Sequence, residues 1–240
     1  MNSLKHQRIN SFVSFFFLLV TMSMAGCVDL SGARFKSEKK ARHSSHVAKL
    51  NTKPAKKVHA YNGEVHTMLG GLGVFSTGMK ELRDSVAEKY DIPARSDMWY
   101  NAGGVTRLIV TYYRTHTPHR PIILVGHSLG ANEQIKVARN LDKVGIPVDL
   151  LVTVDAVSQT IVPPNVKHAM NFYKSGYVPM FSGLKLRAVN PEKTYIENIN
   201  VGTMKGISVN HFTIDKEPVV QAMILEEVKK VTGNANRAKA

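Results

Sequence analysis

The chain has 240 residues, with 32 Lys and Arg against 18 Asp and Glu, a formal net charge of +14 and a pI near 9.9. Its single cysteine, Cys27, excludes an internal disulfide framework. The 43 % apolar content excludes a chain without a core, while the clustering of basic residues near the start excludes an evenly basic domain.

Residues 1–26 begin with Lys5 and Arg8, continue as an apolar stretch from Phe12 to Ala25, and end in Met24-Ala25-Gly26 before Cys27. A basic start, a short apolar region and small residues before a cut describe a secretory signal, too short and too broken by Ser and Thr for a spanning helix. Ala-Gly-Cys resembles the end of a bacterial lipoprotein signal. That resemblance implies that Cys27 becomes the lipidated first residue, which tethers the protein to a membrane of the cell envelope on the periplasmic side.

Residues 27–59 follow as a basic linker. From Ser31 to Val58, Arg34, Lys36, Lys39, Lys40, Arg42, Lys49, Lys53, Lys56 and Lys57 face only Glu38. Such a stretch buries too little surface to fold and is expected to be a flexible spacer, able to lie on anionic head groups. No aromatic-interleaved basic motif accompanies it, so nucleic acid is not an expected partner. His43 and His46 lack further ligands, so no metal site is expected there.

Residues 60–234 carry the periodic elements, with 235–240 expected as a disordered tail. Val65 to Leu69 predicts a buried strand, followed by Gly70-Gly71-Leu72-Gly73 and a helix over Ser76–Tyr90 marked by Met79, Leu82 and Val86. Val105, Leu108, Ile109 and Tyr112 mark a second helix. Pro121 to Val125 is a continuously apolar run that runs straight into Gly126-His127-Ser128-Leu129-Gly130. The next helix carries Leu129, Ile135, Ala138 and Leu141 and stops at Gly145. Val148 to Asp155 is a further strand. Val166 to Tyr173 alternates as a strand with His168 in its middle, which gives that histidine a structural role. Lys174 to Asn200 is punctuated by Gly and Pro; its Tyr177, Val178, Met180, Phe181, Leu184 and Leu186 could wall a pocket or pack in the core. A polar junction, Ser208 to Thr213, holds His211 ahead of a final helix from Pro218 through Val231.

Gly-x-Ser-x-Gly at a strand-to-helix turn presents Ser128 over the sheet at a helix N-terminus, with glycines where a Cβ would collide. A serine hydroxyl is inert until a base takes its proton and a third group orients the base. Asp155 lies at the C-terminal end of its strand, the edge where open parallel sheets collect their sites. Asp149 begins the same strand at the other edge, and Asp215 reads as a cap of the last helix. His211 is the best-placed base. The oxyanion of a tetrahedral intermediate needs N–H donors, assigned to the amides of Leu129 and, within one residue, Leu72.

With Gly70-Gly71-Leu72-Gly73, Gly126-His127-Ser128-Leu129-Gly130, Asp155 and His211 in this order, Glu64 to Val231 resembles the α/β-hydrolase superfamily. The resemblance implies an α/β fold, a compact parallel sheet flanked by helices with no large cap domain, and acyl transfer without a cofactor. The segment is short, so some strands of the full fold are expected to be missing. The acid lies one strand earlier than most members place it, a position some lipases use. The expected activity is cleavage of a carboxylic ester or thioester, in the carboxylesterase, lipase and thioesterase class, by a monomer acting on a small acyl substrate. An acyltransferase on the same fold and a catalytically silent envelope-binding lipoprotein are the alternatives.

Overall fold

Six strands form one all-parallel sheet in the order β2-β1-β3-β4-β6-β8, in a computed structural model that describes residues 64–176 and 183–237. The signal, Cys27, the basic linker, and Tyr177, Val178, Met180 and Phe181 lie outside the described residues. The strands are β1 Glu64–Leu69, β2 Ala94–Met98, β3 Ile122–His127, β4 Val148–Val154, β6 Val166–Tyr173 and β8 Tyr195–Asn200. Two short strands, β5 Ile161–Val162 and β7 Arg187–Ala188, pair separately. The helices are α1 Thr77–Tyr90, α2 Ala102–Thr115, α3 Leu129–Asp142 and α4 Pro218–Arg237. The α/β architecture expected from the sequence is therefore present. No helix among the described residues is long and apolar enough to cross a membrane.

Strands β3 and β4 are apolar on both faces because helices cover both faces. Ile123, Val125, Val152 and Phe172 pack with Met79, Leu82 and Val86 of α1 and Val220, Ile224 and Val228 of α4. Ile122, Leu124, Leu151 and Ala169 pack on the other face with Val105 and Ile109 of α2 and Ile135 and Leu141 of α3. At about 1.5–3 kcal/mol per fully buried aliphatic side chain, this double-sided burial is the dominant stabilising term.

Three expectations need correction. The two sheet edges, β2 (Ala-Arg-Ser-Asp-Met) and β8 (Tyr-Ile-Glu-Asn-Ile-Asn), are absent from the sequence reading; edge strands are only partly covered, so their polar residues hide the strand signal. The stretch read as a Gly/Pro-punctuated loop between Lys174 and Asn200 thus ends in a strand, and Leu186 packs into the core. Helix α4 continues to Arg237, into the expected tail.

The chain reverses its direction of travel across the sheet between β1 and β3, and parallel sheets open a crevice at such a point, at the C-terminal ends of the strands. Register makes this specific. Met68 lies opposite Gly126, and His127 opposite Val154, so Gly70, Ser128 and Asp155 leave the sheet side by side. A Cβ on Gly130 would stand 2.2 Å from the carbonyl oxygen of Met68, and one on Gly126 would stand 2.4 Å from that of Gly130. Gly130→Ala is expected to cost about 1–3 kcal/mol or more from overpacking against fixed backbone. Gly145→Ala, at φ +70° with open space around it, should cost only about 1 kcal/mol, the left-handed penalty. Urea denaturation of the two variants measures the difference.

Candidate active site

Ser128 sits at φ 58°, ψ −124°, a backbone region that costs of order 1–3 kcal/mol for a residue with a side chain. The turn is held by its own amides: Ser128 N–H donates to the Val154 carbonyl at 2.9 Å, and its carbonyl accepts from Ala131 and Asn132. Its Oγ lies 2.9 Å from Nε2 of His211, and Nδ1 of His211 lies 2.8 Å from Oδ2 of Asp155. A carboxylate only accepts, so Nδ1 carries the proton and Nε2 presents its lone pair to the serine hydroxyl. The three residues picked out from the sequence meet in one hydrogen-bonded row.

Each partner is fixed from behind. Asp155 turns at φ 47°, and its N–H donates to the Phe172 carbonyl of β6 at 2.7 Å. The loop after it is gripped by Asn132 on α3, whose Oδ1 accepts from the amides of Val157, Ser158 and Gln159. On the loop of His211, Asn210 Oδ1 accepts from Phe212 N–H, and Lys174 Nζ donates to the Val209 carbonyl. Beside this loop opens a cleft of about 330 Å³, lined by Asp155, His211, Lys174, Ser175, Asn210 and Phe212 among others.

The glycine loop lies directly over Ser128, since a Cβ on Gly70 would stand 2.7 Å from that of Ser128 and 3.1 Å from the Leu129 nitrogen. Within it, Gly70 N–H donates to Ser76 Oγ and Gly73 N–H to the Gly70 carbonyl. Both are engaged inside the loop, which narrows the expected donor to Gly71 or Leu72. Trp99 Nε1 steadies the loop by donating to the Gly71 carbonyl at 2.8 Å.

Three further expectations can be placed. His168 is structural, held between Glu197 and Glu227. Asp149 accepts from the Ile122 amide and pairs with Lys167 at the opposite sheet edge. Asp215 does not cap the last helix. Its Oδ2 accepts from Gly78 N–H at the start of α1, because the hydroxyl of Ser76, the residue in cap position there, is turned inward toward His127.

The sequence reading missed His127, Ser76 and Asn132. His127 is buried, and burial together with the neighbouring His211 pushes its pKa down to about 3, so the ring stays neutral although Asp215 lies 3.9 Å away. Asp215 is pushed up to about 6, mainly by burial. These shifts act oppositely on stability. An unfolded His127 takes up a proton near 6.5 and the folded one only near 3, so acidification below 6.5 removes stability. Folded Asp215 is protonated near 6 and the unfolded carboxyl only near 3.8, so its protonation favours the fold over that window. Between pH 7 and 4.5, Asp215→Asn should therefore lose stability more steeply than the parent protein, and His127→Gln less steeply, by urea denaturation. Equal slopes in all three would overturn this account.

No family model matches the chain, and no curated protein matches it. Among solved structures, several are similar to it over most of their length. A gene product from Listeria innocua is 14 % identical, with 68 % of this chain and 92 % of that chain covered at a TM-score of 0.47. The RedJ thioesterase from the prodiginine pathway of Streptomyces coelicolor is 12 % identical, with 80 % and 100 % covered at 0.40. Human thioesterase 2 is 10 % identical, with 72 % and 97 % covered at 0.41. At these identities and scores nothing about activity passes to this chain; its own geometry has to carry that.

Proposed function

We propose that the protein is a serine hydrolase that cleaves a carboxylic ester or thioester through an acyl-enzyme on Ser128. The observation that carries this reading is the row Asp155–His211–Ser128, with both bonds under 3 Å and the serine on a strained turn at a helix N-terminus. Ser128 Oγ attacks the acyl carbon while His211 Nε2 takes its proton, and the imidazolium is stabilised by Asp155. The oxyanion is bound by the amides of Leu129 and of Leu72 or its neighbour Gly71, assisted by the N-terminal end of α3. Collapse expels the alcohol or thiol, protonated by His211; water then repeats the sequence to release the acid.

This reading assigns the acyl group to an apolar surface. Leu72, Val74 and Phe75 are 69 %, 61 % and 51 % exposed on the loop over Ser128, and Phe75 packs at 5.1 Å on Phe212, the residue after the base. Exposed apolar side chains gathered at a nucleophile favour a hydrocarbon acyl group over a polar one. A series of chromogenic esters is expected to show kcat/KM rising with chain length.

A folded preparation should be labelled by a fluorophosphonate at Ser128, and Ser128→Ala should abolish both labelling and hydrolysis. His211→Ala should be about as damaging, and Asp155→Asn should lose up to about 10⁴-fold through misorientation of the imidazole. His168→Ala should retain the chemistry. Full activity in folded His211→Ala, or a parent protein that never labels, would sink the assignment; the latter would favour a binding module.

The reading extends to an exported protein, tethered to a bacterial envelope membrane through lipid on Cys27. Support comes from the small residues before the only cysteine and the basic stretch after it. Cys27→Ser should give unprocessed or mislocalised protein on membrane fractionation, whereas a processed, lipidated Cys27→Ser species would end this part of the proposal.

A further inference from the structure

Four hydrogen-bonding groups behind the triad form a single directional chain. His127 Nε2 lies 2.8 Å from the carbonyl oxygen of His211, which can only accept, so Nε2 carries the ring proton. His127 is a neutral ring, which leaves Nδ1 as an acceptor, and Ser76 Oγ at 2.8 Å must donate to it. With its own proton directed at His127, the Ser76 oxygen accepts the Gly70 amide at 3.0 Å. The order is Gly70 N–H to Ser76, Ser76 O–H to His127, and His127 N–H to the His211 carbonyl. Every member is buried, so water cannot stand in for a lost partner without opening the core.

The chain joins three segments far apart in sequence. Gly70 opens the loop over the nucleophile, His127 is the residue immediately before Ser128, and His211 is the base. We infer that His127 is a positioning residue that locks the oxyanion loop and the base-bearing loop to the nucleophile's own strand, so that all three keep one relative placement. The inference rests on the serine-hydrolase reading for its kinetic consequences and on geometry alone for the chain itself. A neutral ring is also what this place demands. The two imidazoles are 5.0 Å apart between ring centroids, and a second cation there would oppose the imidazolium that forms on His211 during turnover. Among the described residues, the carboxylate of Asp215 also faces the ring, at 3.9 Å from Nδ1.

Glutamine and phenylalanine separate positioning from packing. The side-chain amide of His127→Gln can still donate near the Nε2 position, whereas His127→Phe fills the space and donates nothing. With an ester substrate, His127→Phe is expected to lower kcat about 10- to 100-fold with KM within about threefold, the scale of one or two hydrogen bonds acting on the transition state. His127→Gln should recover about tenfold of that loss, and Ser76→Ala should lower kcat on its own. Folded His127→Phe with parental kcat, or His127→Gln no better than phenylalanine, would overturn the inference. The chain is tested without activity by ¹⁵N NMR of the imidazoles: His127 should be the Nε2–H tautomer between pH 5 and 8, with an Nδ1 resonance that moves in Ser76→Ala. An Nδ1–H or protonated His127 overturns the inference even in an active enzyme. An expected spectrum from a protein that neither labels nor hydrolyses would instead refute the hydrolase reading and leave the chain standing.

Discussion

The site depends on how closely the first turn of α3 can approach β1. Gly130 has no room for even one carbon atom beside the Met68 carbonyl, and Gly126 has none beside Gly130. That contact bends the chain sharply enough to force Ser128 into its positive-φ conformation and lift the side chain clear of the sheet. Because β1, β3 and β4 are parallel and in register, the same contact lines up Gly70, Ser128 and Asp155 without further adjustment. The strain at Ser128 is carried by burial on both faces of the sheet, not by the site itself.

Most of the residues that meet at the candidate site were legible because their constraints are local. A glycine is required where backbone approaches backbone, an apolar run is required where a strand is covered on both faces, and an acid at a strand's C-terminal end is placed by the strand. Ser128 and Asp155 follow from rules of that kind, as do β1, β3, β4 and the helices that cover them, whereas His211 was picked out by its place on the polar junction ahead of the last helix. What was not legible is set by tertiary neighbours. β2 and β8 look polar because they are edges, and their pairing is decided by β1 and β6 rather than by their own sequence. Asp215 shows the same limit. Its position four residues past His211 suggests a local cap, but Gly78, distant in the chain, is the donor it meets.

Ser76 ties these two levels together. As the residue ahead of α1 it has the side chain that would ordinarily cap that helix, yet the helix start is capped by Asp215 from the far end of the chain. Releasing Ser76 from the cap is what allows its hydroxyl to sit between Gly70 and His127. Gly78 in turn has to be glycine, because a Cβ there would stand 2.2 Å from the Asp215 carbonyl oxygen. The cap therefore brings the turn that follows His211 against the first turn of α1, and the base loop is pinned at His211 by His127 and again at Asp215 by Gly78.

Two buried acids serve this region in different ways. Asp155 contacts His211 directly, and in the proposed reaction it faces the imidazolium as a carboxylate. Asp215 stands one layer back, where it accepts from the helix start and faces a ring that burial keeps neutral. Above about pH 6 it is ionised as well, which adds a negative charge behind His127 on the same side as the base loop. An anion in that place favours positive charge nearby, and the nearest group that becomes positive in the proposed reaction is His211, 5.0 Å from His127 across their ring centroids. The backing of the site is thus electrostatically matched to its front: the histidine stays neutral, and the second acid, where ionised, opposes none of the charge that develops in the proposed reaction.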